Sequence, residues 1–395
     1  MPVVSPLLRI RCPYCREKFH PGDCAIISSI NVDPNTNTPK VLRRAPRPGT
    51  LDYARARAWI DELIGPEYVT EMARRECPHC QKLLFEGIET CDNLNIAIVG
   101  DTSSGKTHYI AVLIDQLKRG FLIQDNSGFV RLMHLNEYTS NTYRDRYYRP
   151  IIQNRTTVKG TEPGRYDAAG RPVKTEPLVY QLHMQDHTGS VSNTINLLLY
   201  DISGEDIADD TKLVQFGEHI LRADGIIYLA DPLSMAHLYQ RLPVHLQPPQ
   251  MTGRTAEEVL STMMFRLEQY NRVRSGQNIS IPTAIVVPKA DLLQYVIGSN
   301  ERANFRFMHK THYDGKVHLE ELWYIDQEVR SILQRYGEFS LLQMSQRFDQ
   351  VGFFAVSATG NAPDSNNKYA FIQPHRCLDP FIWILWKLAF LQGVR

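Results

Sequence analysis

A chain of 395 residues is long enough to bury one large α/β core and still carry a smaller module. Hydrophobic content of 43 % and charged content of 22 % exclude an extended, disordered chain. A formal net charge of +1 excludes a global field that would draw nucleic acid or an anionic membrane. No apolar h-region follows Met1, and the longest apolar run, Phe381 to Leu391, is broken by Lys387 and too short for a bilayer. We therefore expect no signal peptide, no membrane span and a cytoplasmic location. The seven cysteines include two CxxC pairs, which fits metal ligation in a reducing compartment better than a disulfide framework.

Residues 1–93 read as a separate module. It opens with Cys12-Pro13-Tyr14-Cys15 and closes with Cys77-Pro78-His79-Cys80. Each pair forms a tight turn that aims two thiolates at one metal. Two such turns complete the four-thiolate tetrahedron that structural zinc prefers, whereas a redox dithiol needs a single CxxC at a helix start. The interval between the pairs is long. Metal closure tolerates that, because loop-closure entropy grows slowly with length. Within it, Asn31 to Pro48 is polar and turn-rich, and Leu51 to Glu76 is expected as helix, interrupted at Gly65-Pro66. Cys24, Cys91, His20 and His79 leave a second metal open, against the plainer reading of ordinary small and surface residues. The basic run Leu42 to Pro48 reads as a solvated loop or as a contact for nucleic acid or an acidic partner.

Gly100-Asp101-Thr102-Ser103-Ser104-Gly105-Lys106-Thr107 fits G-x-x-x-x-G-K-[ST], a loop that cradles phosphates. The apolar run Leu94 to Val99 precedes it as a buried parallel strand would. Ile110, Leu113, Ile114 and Leu117 follow at helical spacing, and Gly120 is a stop signal. Strand, glycine loop and helix are the arrangement that phosphate binding requires: the glycines let backbone N–H groups approach, and the helix N-terminus adds its positive end. Candidate contacts run from Gly100 to His108. Lys106 would reach the β and γ phosphates and the Thr107 hydroxyl would ligate Mg²⁺.

Downstream the pattern alternates strands and helices, which implies an α/β fold of the P-loop NTPase kind, a mostly parallel sheet with helices on both faces. Asn136 to Ile152 reads as an amphipathic helix, its tyrosines and arginines being also compatible with nucleic-acid contact. A polar loop, Asn154 to Pro177, leads to strands at Leu178 to Met184 and Thr194 to Tyr200, joined as a hairpin through Asp186 to Ser190. A short helix (Leu213 to Ala223) and a strand (Gly225 to Ala230) follow. Thr255 and Glu258 form a capping box for a helix reaching Arg274. A strand (Ala284 to Val287), a long helix (Val317 to Tyr336), a strand (Phe353 to Val356) and an apolar terminal helix (Asp379 to Leu391) complete the chain. That last helix is expected against the sheet, with a partner-binding surface as the alternative.

Three further stretches stand at strand ends. Leu197-Leu198-Leu199-Tyr200-Asp201 ends in the acid that a P-loop needs beside Mg²⁺. It continues Ile202-Ser203-Gly204, and D-x-x-G spacing lets a glycine N–H face a γ-phosphate, so that phosphate loss releases the segment as a switch. Val287-Pro288-Lys289-Ala290-Asp291 and Ser357-Ala358-Thr359 are the others. In this order the motifs resemble the translation-factor and Ras-related class of GTPases over roughly residues 94–391. The resemblance implies a Ras-like GTPase domain with insertions over 94–395, GTP or GDP as ligand, Asp291 reading guanine, the Lys289 stem over the base, and Ala358 contacting the guanine oxygen with Ser357 bracing the loop. It also implies a Mg²⁺-binding switch threonine ahead of Leu178. Thr161 and Thr175 are the candidates, with Thr156 and Thr157 further back. Arg155, Arg165 and Arg171 are candidates for an arginine finger in cis.

Two positions depart from that class. Pro288 stands where an Asn or Thr is usual, and it offers neither a polar side chain nor an N–H. Glu205 stands where a water-orienting Gln is usual; a carboxylate can position or weakly activate water, so hydrolysis is expected to be slow or partner-dependent. More narrowly, the paired CxxC module, Tyr200 to Asp206 and Asp379 to Leu385 resemble bacterial GTPases of the double-GTPase kind found in conflict or defence systems. That implies a Mg²⁺-dependent GTP-hydrolysing switch acting on protein partners through the zinc module or the switch segments. Two rival readings are a nucleotide-bound scaffold that does not hydrolyse and an ATP-driven nucleic-acid-binding protein.

Overall fold

A computed structural model describes residues 10–58, 65–89, 91–120, 128–168, 170–173, 175–186, 191–247, 254–274, 276–309, 317–391 and 393–394. The N-terminal module contains a small hairpin, β1 (Ile10–Arg11) with β2 (Lys18–Phe19), and a sheet of β3 (Ala25–Asp33), β4 (Thr38–Arg43) and β5 (Arg74–Glu76) in the order β4-β3-β5. This revises two expectations. The turn-rich stretch from Asn31 includes the end of β3 and the whole of β4, with Asn37 in left-handed backbone (φ +53°) at the bend. The expected helix survives only as Leu51–Ala58 and Pro66–Thr70, while its last residues pair as β5 with Ala25 to Ile27. Pairing with β3 overrides local helix propensity there, and β5 leads directly into Cys77. Residues 59–64 of that expectation lie outside the described residues.

A seven-stranded sheet forms the main body. Its strands are β6 (Asp92–Gly100), β7 (Gly128–His134), β8 (Leu178–Asp186), β9 (Val191–Tyr200), β10 (Gly225–Leu229), β11 (Thr283–Val287) and β13 (Val351–Ala355), in the order β13-β11-β10-β6-β9-β8-β7. The first five in that order run parallel; β8 is antiparallel to β9, and β7 to β8. Every residue of β10 and β11 is buried, so both faces of the sheet are covered. The helices Lys106–Lys118, Ala256–Tyr270, Leu319–Arg335 and Asp379–Lys387 join the strands in one core. The terminal helix is buried from Asp379 to Leu385, and a Cβ on Gly225 of β10 would lie 2.5 Å from its Ile384 side chain. A short pair, β12 (Val317–His318) with β14 (Gly393–Val394), lies beside it.

Two helices differ from expectation. The one foreseen at Leu213 to Ala223 is two, Asp210–Phe216 and Glu218–Leu221, divided at Gly217, where a Cβ would lie 2.5 Å from the Leu213 side chain. The Asn136 to Ile152 helix starts as one α turn capped by Asn136 and continues as a π-helix, Tyr143–Gln153, containing Pro150, which has no N–H for an α ladder. Its buried face is Tyr143, Tyr147 and Ile151. The N-terminal module packs on the sheet: Ile10, Cys12, Phe19, Phe85 and Ile88 share a cluster with Val179, Leu198 and Tyr200.

Candidate functional site

Parallel strands present their C-terminal ends on one edge, and the loops leaving that edge carry the motifs. β6 runs into the glycine loop. A Cβ on Gly100 would lie 2.7 Å from the Leu229 carbonyl oxygen of β10, and Gly105 caps the following helix at φ +87°. The buried Ser104 hydroxyl donates to the Asp101 carbonyl (2.8 Å), and the Asp101 carboxylate accepts from the Thr102 N–H (2.6 Å). The turn so formed can aim backbone N–H groups at an anion.

Lys106 is buried and folded back on this turn, donating to the carbonyls of Gly100 (2.8 Å) and Asp101 (2.7 Å). Burial pushes its ammonium down to about 8, against the opposing pull of Asp201, Asp101 and Asp231. The Thr107 hydroxyl donates to Asp201 Oδ2 (3.2 Å) and lies 3.4 Å from Thr161 Oγ1. Tyr147, from the π-helix, donates to the same Asp201 oxygen at 3.0 Å. Asp201 Oδ1 is buried with no hydrogen-bond partner. An orphaned carboxylate oxygen beside two threonine hydroxyls fits a hard divalent cation such as Mg²⁺. Thr175, the other candidate, does not line the cavity that Lys106, Thr107 and Thr161 share.

The D-x-x-G glycine is in direct contact with the phosphate loop. A Cβ on Gly204 would lie 2.3 Å from the Thr102 nitrogen, so no larger residue fits this approach. Glu205 is exposed, and its N–H donates to Ser203 Oγ (3.2 Å). Asp206 accepts from the Gly164 N–H (2.7 Å), which ties the end of the Thr161 segment to this turn.

At the other end, Lys289 takes left-handed backbone (φ +53°), and its ammonium reaches the Ser103 carbonyl (3.0 Å) and Asp231 (2.5 Å). Asp291 accepts from the Ser357 hydroxyl (2.6 Å), which itself accepts from the Gly360 N–H (2.9 Å). Ala358 is partly buried against the main core. One cavity of about 940 Å³ is lined by Lys106, Thr161, Gly204, Glu205, Lys289 and Asp291 among others. None of the three arginines lines it: Arg155 donates to the Ala370 carbonyl, Arg165 pairs with Glu162 and Arg171 with Asp167.

Sequence reasoning missed Asp231, Tyr147 and Tyr369. Asp231 had a signal, since it follows a strand just as Asp201 does. Tyr147 showed only helical spacing. Tyr369, which meets His108 in the cavity, stands in a stretch without periodicity.

The four CxxC sulfurs lie within 4.8 Å of one another, with Cys12 and Cys80 3.7 Å apart and Cys15 and Cys77 3.6 Å apart. A zinc–sulfur distance of about 2.3 Å makes tetrahedron edges of about 3.8 Å, so the set fits zinc. The two knuckles share a backbone pattern. Cys12 N–H donates to Glu17 and Cys77 N–H to Lys82, and Arg16 and Gln81 both take left-handed backbone. Among the described residues no other His, Cys, Asp or Glu group is a candidate metal cluster. His20 instead caps a short helix, its Nδ1 accepting from Gly22.

Residues 95–347, more than half of the chain, match the Double-GTPase 2 family. The chain belongs to this family. A relative from Mycolicibacterium smegmatis (strain ATCC 700084 / mc(2)155) carries the name "Putative ESX-1 scaffolding and assembly protein SaeC"; it is 26 % identical over 379 residues, covering 92 % of this chain and 88 % of the relative. Similar solved structures include the signal recognition particle receptor SRb-GTP/SRX complex from Chaetomium thermophilum (14 % identity, 69 % of this chain, 94 % of that one, TM-score 0.31). Another is the S. cerevisiae Ski7 GTPase-like domain bound to GTP (12 %, 76 %, 51 %, TM-score 0.28). A GTPase family implies a guanine nucleotide and, as a rule, Mg²⁺. Among the described residues, no helix is long and apolar enough to cross a membrane.

Proposed function

We propose that this Double-GTPase 2 protein is a Mg²⁺-dependent switch that binds and hydrolyses GTP and acts on protein partners. The observation that carries the reading is the single cavity into which the glycine loop, Gly204, Lys289 and Asp291 all open. In this reading Lys106 and the loop N–H groups hold the phosphates. Thr107, Asp201 and Thr161 hold Mg²⁺, directly or through water. Gly204 senses the γ-phosphate, Glu205 positions water, and Asp291 with Lys289 selects guanine. The bound Mg²⁺ would supply charge neutralisation between the phosphates.

Protein partners are supported by the relative's name, which refers to scaffolding and assembly, and by the module's sheet, where Ile30, Val32 and Val41 are each more than half exposed. A place in a bacterial conflict system is part of this proposal, and the relative's name supports an assembly role as its setting. A second reading, a GTP-bound scaffold without turnover, is favoured by the exposed position of Glu205. A single-turnover assay with purified protein, Mg²⁺ and GTP separates the two. Phosphate release that is lost in Lys106→Ala supports the switch, and no release with partners present supports the scaffold.

A further inference from the structure

Loop residues 359–373, after the guanine-side Ser357-Ala358-Thr359, are closed on themselves by bonds from Gln373 N–H to the Thr359 carbonyl (3.0 Å) and from the Asn361 amide to Phe371 (2.9 Å). The loop carries Tyr369 into the nucleotide cavity, where its hydroxyl pairs with His108 Nε2 at 3.1 Å and the two rings meet edge-on at 5.6 Å. His108 follows the Mg²⁺-side Thr107. Burial holds the His108 imidazole down near 4 and pushes the Tyr369 phenol up to about 12, so the pair is uncharged at neutral pH.

The outer edge of the same loop is zipped to the segment that leads to Thr161. Thr157 N–H donates to the Asn367 carbonyl (2.9 Å), Tyr369 N–H to Arg155 (2.7 Å), and Thr156 bridges Lys368 in antiparallel register. The far end of that segment is fastened by the Gly164 bond to Asp206. One strap thus runs from the base end of the cavity to the phosphate end.

We propose that Tyr369 is a base-contacting residue of the guanine-nucleotide site, its ring forming a wall for the purine, and that its loop couples base occupancy to the segment carrying Thr161. This rests on the nucleotide reading above. An aromatic face is a sequence-tolerant platform for any base, so the ring contributes affinity while Asp291 contributes selectivity. Neither Tyr369 nor the strap belongs to the motifs that define the site.

The test is titration calorimetry of the full chain with GDP and with a non-hydrolysable GTP analogue plus Mg²⁺. Tyr369→Phe should bind both within about twofold of wild type, whereas Tyr369→Ala and Tyr369→Leu should weaken both by about tenfold. Leucine supplies bulk without a π face, so the Phe/Leu contrast separates stacking from packing. Thr157→Pro removes the N–H that holds Asn367 and should weaken the GTP analogue more than GDP. Zinc content and melting temperature, unchanged in all variants, exclude misfolding. Wild-type affinity in Tyr369→Leu overturns the wall, and an unchanged GTP/GDP ratio in Thr157→Pro overturns the coupling. Absence of any guanine-nucleotide binding by wild type would overturn both this inference and the function it rests on.

Discussion

Lys106 sits in an unusual balance. Its ammonium is buried on two carbonyls with three carboxylates nearby, and burial still holds it down to about 8. A phosphate chain brought to the same place favours the charged form, so binding takes up a proton whenever the free lysine is neutral. Nucleotide affinity should therefore be flat below about pH 8 and fall by up to tenfold per unit above it. Calorimetry at pH 7 and pH 9 checks this, and Lys106→Met should remove both the affinity and the pH dependence. Gly204 is a second residue-scale case. A methyl group there would lie 2.3 Å from the Thr102 nitrogen, against backbone that has no flexible end to yield. Gly204→Ala should displace the phosphate loop and lower GTP affinity by about tenfold or more, measured by equilibrium binding with Mg²⁺ present. The glycine, the lysine and the acid at 201 were all legible from spacing. Tyr147 was not, because a hydroxyl takes on a role only when folding brings it to a partner distant in sequence; Asp231 carried the strand-end signal, but only the fold pairs it with Lys289.

At the scale of elements, the first CxxC knuckle braces strand β9 at the D-x-x-G end. Tyr200, the residue before Asp201, donates its hydroxyl to the Pro13 carbonyl inside the first CxxC (2.6 Å). The Arg16 guanidinium lies 4.8 Å from the Tyr200 ring centroid, and the His219 ring stacks on it at 4.3 Å. Arg222, beyond the helices downstream of Gly204, donates to the Arg16 carbonyl (3.2 Å) and to Glu17 (2.8 Å). The end of β9 and the C-terminus of the Glu218–Leu221 helix thus both rest on the knuckle. A structural zinc on the four thiolates would contribute about 10 kcal/mol or more to the order of its ligand loops. Removing the metal by Cys77→Ser should release this support, lower the melting temperature and weaken GTP binding. Metal analysis and calorimetry on one preparation would read both. Tyr200→Phe should keep the zinc and cost about 1–3 kcal/mol, since it leaves a buried carbonyl unpaired. Residues 1–93 are expected as a separate module; Ile10, Cys12, Phe19, Phe85 and Ile88 of it pack on Val179, Leu198 and Tyr200 of the sheet, and nothing in the CxxC spacing could say which strands they would meet.

Across the whole molecule, the cavity draws on loops from every part of the parallel sheet, and the strap adds contacts between Arg155 to Thr157 and Asn367 to Ala370, far apart in sequence. Hydrogen exchange should therefore slow in both stretches together when GTP and Mg²⁺ bind, even though only one of them leads to Thr161. Exchange that slows in the first stretch alone would argue for two independent loops. Asp291→Asn belongs to this scale as well, because Ser357 from a different strand end holds that carboxylate. It should lower the preference for GTP over ATP by about tenfold or more, read by competition binding.

By itself the sequence determined the glycine loop, the strand-end acids, the thiolate pairs and the alternation of strands and helices, since each is written in local spacing and periodicity. Tertiary structure alone decided the rest. It put Thr161 rather than Thr175 beside Thr107, turned the end of an expected helix into a strand of the N-terminal module, and set Tyr200 on the knuckle. It also zipped residues 155–157 to residues 367–370. Those outcomes depend on contacts between residues far apart along the chain, where hydrogen bonds and burial are satisfied only once the sheet is assembled and local pattern has nothing to register.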